Sequence, residues 1–72
     1  VSNNTEFASK IPENLSKIRK QQRYTQREVA ELADLNPNYY AKVERGDSVP
    51  SIKTLYKIAK ALKVSASDVV GF

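Results

Sequence analysis

Residues 34–46 read DLNPNYYAKVERG, and the fold turns on whether this stretch is a loop, a strand or a helix. A proline cannot donate to a sheet ladder, so Pro37 disfavours a strand. Asn36 is a good N-cap, and Pro37 suits the first helical position, where its missing N–H would have had no intrahelical partner. Gly46 is a natural terminator. The stretch therefore predicts a helix over 37–45. On that helix Tyr40, Val43 and Glu44 gather on one side, and Asn38, Ala41, Lys42 and Arg45 on the other. The first side holds the large apolar residues and is expected to pack inward, leaving a polar, basic side outside.

Upstream, TQREVAELAD opens with Thr25 and Glu28 in capping-box spacing and continues with the apolar Val29, Ala30, Leu32 and Ala33. A helix over about 26–34 is expected. Two short helices joined by a turn of about three residues fit helix-turn-helix geometry. Earlier still, SKIPENLSKIRKQQ puts Ile11, Leu15, Ile18 and Gln22 near one helical face. With Ser9 as N-cap and Pro12 in the first turn, a helix over about 10–22 follows. The polar start, residues 1–9, reads as a flexible arm, and residues 10–72 as the folded domain.

Downstream, SIKTLYKIAKALKV carries Ile52, Leu55, Ile58, Ala59 and Leu62 at helical spacing behind Ser51. It predicts a helix over 52–62. Lys53, Lys57 and Lys60 alternate with this stripe, without amide or aromatic partners, and read as a solvated face. SASDVV repeats the capping-box pattern with Ser65 and Asp68 and predicts a short helix over 66–70 ended by Gly71. The expected fold is one compact, all-α, five-helix domain.

Composition narrows the chemistry. The 72 residues fit one small domain with a modest core. There is no Cys and no His. That excludes disulfides and thiolate metal sites and removes the commonest general base, so no catalytic residue, metal site or cofactor is assigned. No apolar run spans a membrane, and nothing at the start reads as a signal peptide, so a cytoplasmic location is expected. The net charge of +4 points to an anionic partner.

The polar side of the 37–45 helix suits DNA. Asn bonds bidentately to adenine N6 and N7, Lys reaches guanine O6 and N7, and the small Ala41 permits close approach to a groove wall. Asn38 and Lys42 are the candidate base readers. Phosphate-directed residues should surround them. Candidates are Lys17, Lys20, Arg23, Gln26, Tyr39 and Arg45. Glu44 lies on the packing side, and a buried carboxylate needs a partner. Arg19 lies beside the apolar stripe of the first helix in the same way, which predicts a shielded Arg19–Glu44 ion pair. A single such helix reads few base pairs, whereas a two-fold dimer reads two half-sites about 34 Å apart. Val69, Val70 and Phe72 are candidate dimer-interface residues, although a domain this small also needs apolar residues inside.

Residues 11–70, and most specifically TQREVAELA, VERGDSVPSIKTLYKIAKAL and VSASDV, resemble the phage-repressor and Cro-type (XRE-like) helix-turn-helix family. The resemblance implies a lambda-repressor-like five-helix domain with a recognition helix over 37–45. It implies an operator-binding homodimer on double-stranded DNA, with an inverted repeat as target. A bacterial or phage-encoded, nucleoid-associated regulator is the expectation, of the prophage or restriction–modification controller kind. The alternative is an antitoxin- or coactivator-like interaction module on the same fold.

By resemblance, Gln26 matches a phosphate-contacting position, Asn36, Pro37, Asn38 and Lys42 match base-facing positions, and Tyr39 matches a backbone-touching one. Arg19 and Glu44 match a family ion pair. The chain departs from the family pattern at Arg23 and Asp34, where turns usually carry Gly, and at Pro37, where a base-reading polar side chain is common.

Overall fold

The computed structural model describes the backbone of residues 3–71 and the side chains of residues 10–71. Five helices follow one another: α1 Asn3–Gln21, α2 Gln26–Leu32, α3 Pro37–Arg45, α4 Ile52–Leu62 and α5 Ala66–Val70. The last three have the expected bounds, and α2 ends slightly early.

The first helix departs most. It begins at Asn3 rather than Lys10, so the chain is helical from Asn3 on where an arm was expected. Ser9 is not an N-cap, and Pro12 lies inside the helix. A proline inside a helix removes one backbone hydrogen bond without forbidding helix on either side, so it need not mark a start.

The termini are closed by the predicted chemistry. Thr25 Oγ1 accepts from the Glu28 N–H at 3.0 Å while Glu28 Oε1 accepts from the Thr25 N–H at 2.8 Å. Ser65 and Asp68 do the same at α5. Ser51 caps α4 through the Thr54 N–H. Gly46, at φ +85°, turns the chain out of α3 and lets the Asp47 N–H reach the Lys42 carbonyl at 2.9 Å. Arg23 (φ +63°) and Asp34 (φ +57°) hold the left-handed conformation that the resemblance implies for these turns, and Lys63 (φ +58°) does so at the end of α4. In that conformation Arg23 stores strain of about 1 kcal/mol, and Asp34, whose short polar side chain tolerates the left-handed region, somewhat less.

The core joins all five helices: Leu15 from α1, Val29 and Ala30 from α2, Tyr40 and Val43 from α3, Ile58 and Leu62 from α4 and Val69 from α5. Polar cross-ties supplement it. Asn14 Nδ2 donates to the Val69 carbonyl at 2.9 Å, fixing α5 on α1. Gln22 lies just past α1 rather than on it, and its Nε2 donates to the Leu62 carbonyl at 2.7 Å, satisfying an orphan acceptor at the end of α4.

Two expectations about burial are overturned. Val69, expected at a dimer interface, is fully buried, because α5 lies against α1 and its inward residue completes the core. Ile52, expected in the core stripe of α4, is 74% exposed, because it is the first residue of the helix and overhangs the packed layer. Val70 is half-buried. Phe72, the third candidate interface residue, lies outside the described residues.

Candidate nucleic-acid interface

Helix α3 is fastened from below and open above. Tyr40 and Val43 are fully buried. Asn38 and Lys42, one turn apart, are exposed, with the half-buried Ala41 beside them. Pro37 and Tyr39 are half-buried, and Tyr39 packs against the core edge. The two adjacent tyrosines thus take different places. Asn36 is exposed, but its Oδ1 is committed to the cap, accepting from the Asn38 N–H at 2.8 Å and the Tyr39 N–H at 3.2 Å. Only its amide N–H groups remain for a base.

Beneath this face lies the predicted ion pair. Arg19 Nε donates to Glu44 Oε2 at 2.9 Å and Oε1 at 3.1 Å, and Nη2 donates to Oε1 at 2.6 Å. Only 12% of the Arg19 and 5% of the Glu44 side-chain surface is exposed. The remaining end of the guanidinium donates from Nη1 to the Tyr24 carbonyl at 2.8 Å, which anchors the strained turn after α1. Arg19 thus engages all three of its guanidinium nitrogens inside the protein.

Burial alone would raise the Glu44 carboxyl. The neighbouring Arg19 first, then the Tyr40 hydroxyl and the Gln26 amide, outweigh it and hold the group below the usual carboxylate range. The same bond to Glu44 raises Arg19. Tyr40 sits next to the pair with its hydroxyl buried and without a hydrogen-bond partner among the described residues. Burial first, and then the neighbouring Glu44 carboxylate, raises that phenol far above its ordinary value, so it stays protonated.

Gln26, at the start of α2, joins the network. Its Nε2 donates to Glu44 Oε1 at 3.2 Å. An amide nitrogen carries two donors, so one N–H stays available to donate to a phosphate. This contact spans 18 residues and was not anticipated. Its signal was weak: a glutamine on the first turn of one helix of the motif and a carboxylate on the inner side of the next.

The other phosphate candidates divide. Arg23 is exposed in the turn leading to α2. Arg45 is exposed and pairs with Asp47 at 3.0 Å, a solvent-facing contact that an anion can displace at little cost. Lys17 is not brought to α3. It lines a cleft with Asn14, Ile18, Gln21, Gln22, Val64 and Asp68, on the side of α1 that faces α5. It lies two residues before Arg19, and that spacing turns it away from α3. Lys20 is exposed on the last turn of α1. Among the described residues no group of three or more acidic residues could hold a metal, and no helix is long and apolar enough to cross a membrane.

Residues 15–69 match the model of a helix-turn-helix family, and that span contains every element of this network. The chain belongs to the phage-repressor and Cro-type helix-turn-helix family of DNA-binding domains. Its relatives include the immunity repressor protein of Bacillus phage phi105, 38% identical over 61 residues that cover 85% of this chain and 42% of that protein. An HTH-type transcriptional regulator of Sinorhizobium fredii is 33% identical over 83% of this chain and 78% of its own length. The cryptic phage CTXphi transcriptional repressor RstR of Vibrio cholerae is 36% identical over 86% of this chain and 55% of its own. The chain thus spans about half the length of the two phage repressors. The crystal structure of the restriction-modification controller protein C.AhdI from Aeromonas hydrophila superposes with a TM-score of 0.83 at 27% identity, over 86% of this chain and 94% of that one. In this helix-turn-helix domain α2 and α3 form the motif.

Proposed function

We propose that this helix-turn-helix domain is a non-catalytic transcriptional regulator that binds operator DNA by placing α3 in the major groove. One observation carries the reading: the polar Asn38–Ala41–Lys42 side of α3 is backed by a buried, bidentate ion pair to α1 and a Gln26 hydrogen bond to α2, which together fix its height and rotation. Asn38 is assigned to adenine and Lys42 to guanine. Pro37 offers only apolar contact, for example to a thymine methyl, and Asn36 only its amide donors. Gln26, Arg23, Tyr39 and Arg45 are assigned to the phosphates flanking the groove, where they set register without reading sequence.

The two relatives named as repressors, both of phage, support repression as the sign of regulation. Reading an operator of useful length requires two copies on an inverted repeat, with recognition helices about 34 Å apart. Selection of binding sites from random duplex DNA tests this directly. An inverted repeat bound far more tightly than competitor DNA, with affinity falling steeply as salt rises, is the expected result. Equal affinity for every duplex would overturn it.

A further inference from the structure

Asn36 and Asn38 stand two residues apart at the start of α3, both exposed and both carrying a side-chain amide. An uncommitted amide offers a donor and an acceptor together, the pattern that matches adenine. Asn38 enters the cap only through its backbone N–H, so both ends of its side-chain amide are kept for a base. Asn36 differs. Its Oδ1 holds the N–H groups of Asn38 at 2.8 Å and Tyr39 at 3.2 Å, so both acceptor directions of that oxygen are used. Turning the amide over would set its NH2 against those two N–H donors and leave both unsatisfied at the helix start. The amide is therefore held one way round, with its NH2 directed away from the helix. The backbone is held as well: Asn36 lies at φ −63° and ψ 130°, and the following Pro37 keeps it out of the helical region.

We infer that Asn36 is a donor-only reader that selects a keto base, guanine before thymine, and rejects cytosine and adenine; this rests on α3 lying in the major groove. Guanine presents N7 and O6, two acceptors side by side, to the two amide donors. Thymine presents O4 alone. Adenine sets its N6 amino group beside N7, and cytosine offers only its N4 amino group, so both oppose donor to donor. A donor taken from water and left unmatched costs free energy, so the rejection is as much a part of the choice as the bonds gained. Two asparagines of identical chemistry thus read different bases, Asn38 adenine and Asn36 guanine. What separates them is that one of the two oxygens already holds the helix cap.

Asn36→Asp tests this, because Asp caps a helix as well as Asn and replaces only the NH2 by an oxygen. The carboxylate also suits the positive end of α3, so the variant should melt no lower than the wild type. Sites selected from random duplex DNA by the two proteins should differ at one base per half-site. There the wild type takes guanine or thymine, and the variant takes cytosine, whose N4 amino group donates to a carboxylate. The variant should bind the cytosine-substituted operator roughly tenfold or more tightly than the wild-type operator. The added negative charge weakens binding to every duplex alike, so operators are compared for one protein at one salt concentration. Asn36→Ser keeps the cap with a hydroxyl that both donates and accepts, and should lose the preference at that base alone. Adenine or cytosine preferred by the wild type at the position that changes, or the same sequence selected by wild type and Asn36→Asp, overturns the inference and leaves recognition by α3 standing. A lowered melting temperature of Asn36→Asp overturns it too, since the oxygen would then not be what holds the cap. A wild-type chain that selects no sequence overturns the DNA-binding proposal and this inference together.

Discussion

Helices α3 and α4 look alike along their outer sides. Both start behind a good N-cap, both bury an apolar stripe, and both carry lysine outward. Their undersides differ. Below α3 a carboxylate on the helix itself, Glu44, ties it to α1 through Arg19 and to α2 through Gln26. Helix α4 is held by apolar contacts, and among the described residues its side chains make no ion pair to another helix. Apolar burial holds a helix in place but is non-directional, whereas a bidentate guanidinium–carboxylate pair also sets orientation. Orientation is what base reading requires, because a hydrogen bond weakens steeply with misalignment. Under the proposed function, base reading therefore falls to α3, the helix whose orientation is tied to both α1 and α2.

The largest expected effect tests the underside of α3. Glu44→Ala should destabilise the domain by about 3–5 kcal/mol in urea unfolding, since Arg19 would be left buried and unpaired. An unchanged melting temperature would remove the distinction between the two helices. Acid should act on the same group. The Glu44 carboxyl is held below its unfolded-state value, so its contribution is complete above the usual carboxylate range. That contribution is lost as pH falls through the lowered folded-state value. Unfolding curves of wild type and Glu44→Gln should therefore converge on acidification.

A smaller effect tests the outer sides. Asn38→Ala should weaken operator binding by about 1–3 kcal/mol and relax preference at one or two base pairs. Lys53→Ala on α4 should leave the selected sequence unchanged; loss of sequence preference there would break the comparison. The smallest effect concerns the turns that set the helices. Arg23→Gly should stabilise by about 1 kcal/mol by relieving the left-handed strain at φ +63°. A lowered melting temperature would show that Arg23 contributes contacts worth more than the strain.

Much of the fold was legible because its signals are local. Caps at Thr25, Asn36, Ser51 and Ser65 and stops at Gly46 and Gly71 are settled by groups a few residues apart, and they placed α3, α4 and α5 at their observed bounds. Pro12 misled for the same reason: its local meaning suits a first turn, yet the helix runs through it. Burial was read less well. Periodicity gives the direction in which a residue points and is silent on whether anything lies there. Ile52 points along the apolar stripe into solvent, and Val69 points from a five-residue helix into the core.

The candidate site divides along the same line. The amino-acid sequence by itself determined that α3 exists, that Asn36 caps it, that Asn38 and Lys42 share its polar side, and that Glu44 needs a cation such as Arg19. Each of these follows from helical geometry or from the cost of burying a charge. Only the tertiary structure decided that Gln26 shares the Glu44 carboxylate, that Lys17 faces α5 rather than α3, and that the Tyr40 hydroxyl is buried beside the Arg19–Glu44 pair. Those outcomes depend on how separate helices rotate and settle against one another. That is fixed by packing across the whole core, which no single stretch of the chain encodes.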